Sequence, residues 1–215
     1  MNRKTLIVLK TAVWIACLWP LGLLVYGALT PDGLGADPTA KITHSTGYTT
    51  LMLLTITLGI TPVRRLSPRL GWMIKFRRLL GLFAFFYASV HLLTWVALYT
   101  AFDLSAMATD IVKRRYITAG MAAWLLLLPL ALTSTNWAIR KLGGKRWNRL
   151  HKLIYVAVIC GVIHYWWQVK HGVLLPLPFT IAVALLLLAR PIQSWILKRK
   201  AQSAASGRPV VQRPS

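Results

Sequence analysis

Hydrophobic residues in this chain fall in long blocks, not in the alternating or amphipathic patterns of water-facing elements. Six blocks stand out, over residues 11–29, 48–63, 79–101, 116–132, 153–169 and 174–189. A helix rises about 1.5 Å per residue, so roughly 18 or more apolar residues in a row match the hydrocarbon thickness of a bilayer. The pattern predicts an all-α integral membrane bundle of about six transmembrane helices. The second and sixth blocks are short, the fifth is interrupted by polar residues, and no internal repeat stands out. Arg3, Lys4 and Lys10 precede the first block as they would in a secretory signal. That block is longer than the roughly 7–15 apolar residues of a signal segment, so it reads as an uncleaved first helix.

Composition agrees with a membrane solvent. The chain is 56% hydrophobic, with a mean hydropathy of +0.57. Charged residues make up 14%, against about 25% in soluble domains. The charge is one-sided: 26 Lys+Arg against 4 Asp+Glu, a net of +22. In a soluble protein this would point to nucleic acid. Here the cations lie in short connections between apolar blocks, which excludes nucleic acid as the natural partner and leaves membrane lipid. With the N-terminus inside, twenty-one of the 26 fall on the inner side. Lys41, Lys113, Arg114, Arg115 and Lys170 fall outside, as do the acids Asp32, Asp37, Asp103 and Asp110. The asymmetry predicts N-in/C-in topology in a bacterial inner (cytoplasmic) membrane.

The chain divides into a membrane domain, 1–195, and a basic tail, 196–215, expected to be disordered in the cytoplasm. Neither GxGxxG nor GxxxxGK[ST] occurs, so no nucleotide-binding domain is expected. Cys17 and Cys160 lie within apolar blocks and read as packing residues. There is no CxxCH, which excludes covalent haem attachment.

Ionisable residues within spans are costly and mark function by default. Here they are histidines. His91 lies mid-way along the third block and His164 in the fifth. Both blocks run from inside to outside, and both histidines come roughly 20 Å beyond the cytoplasmic entry at about 1.5 Å per residue. Two imidazoles at one level on two helices can clamp an iron, because neutral imidazole is a good iron ligand and axial histidine commonly holds haem. The alternative is a pair of hydrogen-bonded packing residues. His151, near the cytoplasmic end of the fifth block, suits a second haem below the first, although an ideal helix turns it about 140° away from His164. It reads equally as an interfacial residue. His44 and His171 lie on the outer side and read as interfacial.

Arg77, Arg78 and Arg149 crowd the inner side near His151, together with Lys145 and Arg146. They are candidates to neutralise haem propionates or a flavin phosphate, with plain positive-inside anchoring as the alternative. Phe83, Phe85, Phe86, Tyr87, Trp95, Tyr165, Trp166 and Trp167 are candidate linings of a haem or quinone pocket, or members of interfacial belts.

A series of short motifs adds to this reading. GLGADP spans 33–38, HSTG 44–47, ITPVRR 60–65 and RRLLGL 77–82. After His91 come LTST at 132–135, GKRWNRLHKLIY at 144–155 and IHYWW at 163–167. In this order the chain resembles the haem-binding membrane subunits of periplasmic methionine-sulfoxide reductase systems, within the ferric-reductase-like transmembrane domains. The resemblance covers roughly residues 10–190. It implies haem b, one or possibly two groups, with axial ligands at His91, His164 and His151, and it implies FMN. Electrons would come from the quinone pool or a cytosolic flavin reductase. They would pass to a periplasmic molybdenum-containing subunit that reduces methionine sulfoxide in oxidised proteins. Related reductases carry a second histidine on the third helix. Arg77 occupies that position here and cannot ligate iron, which weighs against a second haem.

Two other functions fit the sequence. A stand-alone ferric or oxygen reductase would also need haem but no docking protein. A transporter or scaffold would use the histidines as proton relays. Against the transporter, the apolar blocks hold no Asp or Glu, and no paired broken helices appear.

Overall fold

The computed structural model describes residues 2–206 except 171 and 173. Among these the chain is helical throughout, with no strand. Six stretches are long and apolar enough to cross a membrane: Arg3–Leu29, Pro38–Leu66, Arg69–Tyr99, Arg115–Leu132, Gly144–Gln168 and Leu177–Arg199. These correspond to the six blocks, but several helices outrun the apolar residues that signal them.

Helix α1 covers Arg3–Leu29 and α2 covers Pro38–Leu66, with Asp37 capping α2 through the Ala40 N–H and Pro38 beginning the first turn. A 3₁₀ segment, Pro68–Phe76, leads into α3, Arg77–Thr94, which passes into a π-helical turn at Trp95–Tyr99. Short α4, Leu104–Lys113, precedes α5, Arg115–Leu132. Two short helices follow, α6 at Asn136–Leu142 and α7 at Gly144–Leu150, then α8 at Leu153–Gln168 and α9 at Leu177–Ser206.

The expected short second span is 29 residues long, and it is the central helix. Its hydropathy, 1.2, is the lowest of the six spans, while the buried share of its window, 56%, is the highest. The cause is its threonines. Thr46, Thr49 and Thr57 are buried, and their hydroxyls donate to the carbonyls of Ile42, Ser45 and Leu53. Each polar group is satisfied within its own helix, so it can face other helices without cost to them.

Two hairpin-like pairs form the frame. Helix α3 packs along α2, and α8 packs along α5. The pairs meet through α3 and α5, where Phe85 stacks on Trp124 and the Trp124 indole donates to Ser89 Oγ at 3.0 Å. Leu54, Leu58, Ala84, Tyr87, Ala157 and Val158 fill the shared core.

The fifth block is one helix across its polar residues, but its inner end is broken. His151 and Lys152 form a turn between α7 and α8, so His151 is not in register with His164 on a single helix. At the other end of the chain, α9 continues to Ser206 and takes in the first part of the expected tail. Residues 207–215, the rest of that tail, lie outside the described residues, as does His171.

Candidate functional site

His91 on α3 and His164 on α8 face each other across the two pairs, with ring centroids 5.9 Å apart and planes at 84°. The equal depth expected from the sequence is therefore realised as direct opposition. Neither ring floats. His91 Nδ1 lies 3.0 Å from the Thr43 carbonyl, and His164 Nδ1 lies 2.6 Å from the Tyr116 carbonyl. A carbonyl can only accept, so each Nδ1 carries the proton and donates. The lone pair then belongs to Nε2 in both rings, and neither Nε2 has a hydrogen-bond partner among the described residues. This is the neutral tautomer that ligates metal through Nε2, with the second nitrogen anchored to a backbone carbonyl.

Glycine makes room for each ring. A Cβ at Gly47 on α2 would stand 2.9 Å from His91 Cε1, and one at Gly120 on α5 would stand 2.8 Å from His164 Nδ1. Each glycine lies one helical turn beyond the accepting carbonyl, and each histidine follows its acceptor by 48 residues. Thr43, Gly47 and His91 are thus matched by Tyr116, Gly120 and His164 at one common interval. The two pairs present their histidines in the same way. This internal correspondence is not evident from the sequence, because most side chains around the three positions differ. Gly47 belongs to the HSTG motif; Gly120 stands in no such motif, and its TAG context echoes STG only when the two helices are aligned.

The opposition can be tested against a haem. Two metal–imidazole bonds of about 2.0–2.1 Å, with about 1.1 Å from nitrogen to ring centre on each side, require centroids roughly 6.2–6.4 Å apart. The observed 5.9 Å is within a few tenths of that value. The donor set and the ring spacing would fit an iron bound by both histidines.

His151 is placed differently. Its ring stacks on Trp147 at 3.8 Å, and its Nε2 lies 3.1 Å from Thr133 Oγ1. The Thr133 hydroxyl already donates to the Pro129 carbonyl at 2.6 Å, so His151 Nε2 is the donor to Thr133. The Trp147 indole donates to the Thr133 carbonyl at 2.9 Å. The LTST and GKRWNRLHKLIY motifs therefore meet each other at the inner end. Arg78 donates to Asn136 Oδ1 at 2.7 Å, which ties α3 to α6, and Arg149 is exposed. Arg77 is half-buried at the start of α3. His44 lies on an exposed face inside α2, not at its start.

The aromatic candidates divide. Tyr165 packs on Phe179, and Trp166 donates to Thr180, both on α9. Phe83 packs against Trp14 of α1. Tyr87 is fully buried, its hydroxyl donating to the Cys17 carbonyl at 2.7 Å and accepting from the Leu21 N–H at 3.1 Å. These side chains join helices.

The family of ferric reductase like transmembrane components matches residues 43–162, a stretch that begins at the carbonyl anchor of His91. A protein from Herminiimonas arsenicoxydans named protein-methionine-sulfoxide reductase heme-binding subunit MsrQ is 48% identical over 204 residues, covering 94% of this chain and 92% of its own length. The chain belongs to the MsrQ family. Other MsrQ proteins agree: that of Rhodospirillum rubrum is 46% identical, covering 92% of this chain and 93% of its own. That of Ralstonia nicotianae is 48% identical, covering 77% of this chain and 75% of its own. In this MsrQ-family chain the opposed histidines and their glycines are the constellation best arranged for chemistry.

Proposed function

We propose that this chain is a transmembrane haem b protein that delivers electrons to a periplasmic methionine-sulfoxide reductase. One observation carries the reading: two histidines on separate helices, each anchored through Nδ1 to a backbone carbonyl and each with an Nε2 that has no hydrogen-bond partner among the described residues, stand with ring centres 5.9 Å apart. The relatives' shared name, heme-binding subunit, matches that geometry. When bound, a haem supplies reversible one-electron iron chemistry. The chain's own residues would hold and orient it: His91 and His164 as iron ligands, Thr43 and Tyr116 as their backbone anchors, Gly47 and Gly120 as the floors beneath the rings.

The finer parts of the reading rest on charge asymmetry and family resemblance. The protein spans the bacterial inner membrane with both ends inside. Quinol or a cytosolic flavin reductase supplies electrons, and the acceptor is a molybdenum-containing subunit that repairs oxidised periplasmic proteins. FMN is the second cofactor. Arg77, Arg78 and Arg149 are the inner-side candidates for haem propionates or the flavin phosphate. A second haem at His151 is a weaker reading, because its Nε2 would first have to leave Thr133.

The test is the reduced-minus-oxidised absorption spectrum of the purified protein beside His91→Ala and His164→Ala. A b-type spectrum weakened in both variants supports the reading, and a colourless wild type produced with ample haem sinks it. Haem per chain in wild type and His151→Ala decides the second site. Two falling to one supports it, and one in both dismisses it. A reduced protein that reoxidises with ferric iron or oxygen as fast as with its partner would favour the stand-alone reductase.

A further inference from the structure

Five cations lie outside the membrane by the charge count, and four of them, Lys113, Arg114, Arg115 and Lys170, line one cavity of about 560 Å³. The cavity opens between the ends of α4, α5 and α8, and Tyr116, Trp166 and Trp167 share its wall. Only one of the four has an acidic partner among the described residues: Arg114 pairs with Asp110 at 3.1 Å and also donates to the Tyr116 hydroxyl at 3.3 Å. Lys113, Arg115 and Lys170 are exposed. Positive-inside sorting disfavours cations on this side, so four of them around one concavity need a reason.

Position supplies one. Tyr116 belongs both to the cavity and to the histidine site. Its side chain lines the former, its carbonyl anchors His164 Nδ1 at 2.6 Å, and its ring centre lies 6.1 Å from that of His164. The cavity is therefore one residue away from the outer side of the candidate iron ligand. Trp167 beside it is 55% exposed, an aromatic of the kind that anchors protein interfaces when ringed by arginine.

We infer that this cationic cavity is the electron exit, and that its occupant is an acidic surface of the periplasmic redox partner. The inference rests on the electron-transfer reading above. Lys113, Arg115 and Lys170 steer the partner's carboxylates, and Trp167 packs at the centre of the contact. One electron leaves the reduced chain and one enters the partner's oxidised centre for each encounter, with no bond made or broken.

The test measures binding, so it does not depend on haem. The full chain, in lipid nanodiscs with and without haem, is titrated with the purified catalytic subunit at low and high salt. An R115E/K170E variant is compared with an inner-side control of equal charge change, R140E/K141E, at two exposed positions. The expected result is about a tenfold or greater loss of affinity in the outer variant only, with a flatter salt dependence and an unchanged haem spectrum. Outer and inner variants that bind alike, or wild-type binding indifferent to salt, would overturn the exit site. A protein that binds its partner as expected but carries no haem would leave the docking surface standing and remove the electron-transfer reading. Inorganic phosphate or free FMN binding at this cavity and lost in R115E/K170E, while that variant binds the partner as wild type does, would assign it to a small anion instead.

Discussion

The imidazole of His164 lies over the α-carbon of Gly120, so close that a methyl group there would stand 2.8 Å from Nδ1 and 3.0 Å from Cε1. The neighbour that would have to give is a ring already held at that same Nδ1 by the Tyr116 carbonyl. Gly120→Ala should therefore move the ring or break its anchor, although alanine is the better helix former by about 1 kcal/mol. Overpacking of this kind costs about 1–3 kcal/mol. The expected outcome is a roughly five- to 150-fold weaker haem affinity with helix content retained. Haem titration and circular dichroism on the same sample check it. Unchanged affinity would mean that the ring has slack the geometry does not show.

Gly47→Ala makes the same argument at the other histidine, with a gentler clash: 2.9 Å to Cε1 and 3.1 Å to Nδ1 of His91. Thr46 Oγ1 adds a longer contact to that Nδ1 at 3.3 Å, but its hydroxyl already donates to the carbonyls of Ile42 and Thr43. Thr46→Val should leave the haem spectrum nearly intact, whereas Gly47→Ala should lower haem occupancy. The reverse order would show that Thr46, not the Thr43 carbonyl, sets the tautomer.

The histidine pair is legible in the sequence because depth along a helix is a matter of counting, and both histidines lie inside apolar blocks. Its support is not. Backbone carbonyls carry no residue signature, and Gly120 lies in a small-residue run where a glycine does not stand out. The second span read as short because Thr46, Thr49, Thr57 and their neighbours dilute its hydropathy, yet those same threonines fit it for the centre. The setting of His151 is not legible in the sequence: Trp147 and Thr133 engage it at a break between two helices, and a continuous-helix projection cannot show a break.

Tyr87 enters the hydrogen-bond ladder of α1. Its hydroxyl stands between the Cys17 carbonyl and the Leu21 N–H, a pair that would bond directly in an unbroken helix. Pro20 lies within this turn, where helices bend readily. Tyr87→Phe leaves both backbone groups unpaired or forces the turn to close. Leaving a buried polar group unpaired costs about 1–3 kcal/mol. Thermal unfolding in detergent should show a lower midpoint with an unaltered haem spectrum, since Tyr87 serves the joint between α1 and α3. A spectral change would tie α1 to the proposed haem site.

Arg190 answers another proline. Pro62 has no N–H for the carbonyl one turn earlier, that of Leu58, and Arg190 Nη2 from α9 donates to that carbonyl at 2.7 Å. Its Nη1 donates to the Tyr155 hydroxyl, and the guanidinium lies over the Tyr155 ring at 4.7 Å. One side chain thus joins α9, α2 and α8. As a plain inner-side anchor, Arg190 would tolerate lysine, which keeps the charge. As a planar fork serving two acceptors and a ring face, it would not. Arg190→Lys should therefore lower the unfolding midpoint, and Arg190→Ala should cost about 1–3 kcal/mol through the abandoned Leu58 carbonyl. Pro62→Ala decides the cause, because it returns the missing N–H to α2. In that background Arg190→Ala should cost less than in wild type, and the difference is the coupling between the two residues. Equal costs in the two backgrounds would mean that Arg190 acts through Tyr155 alone.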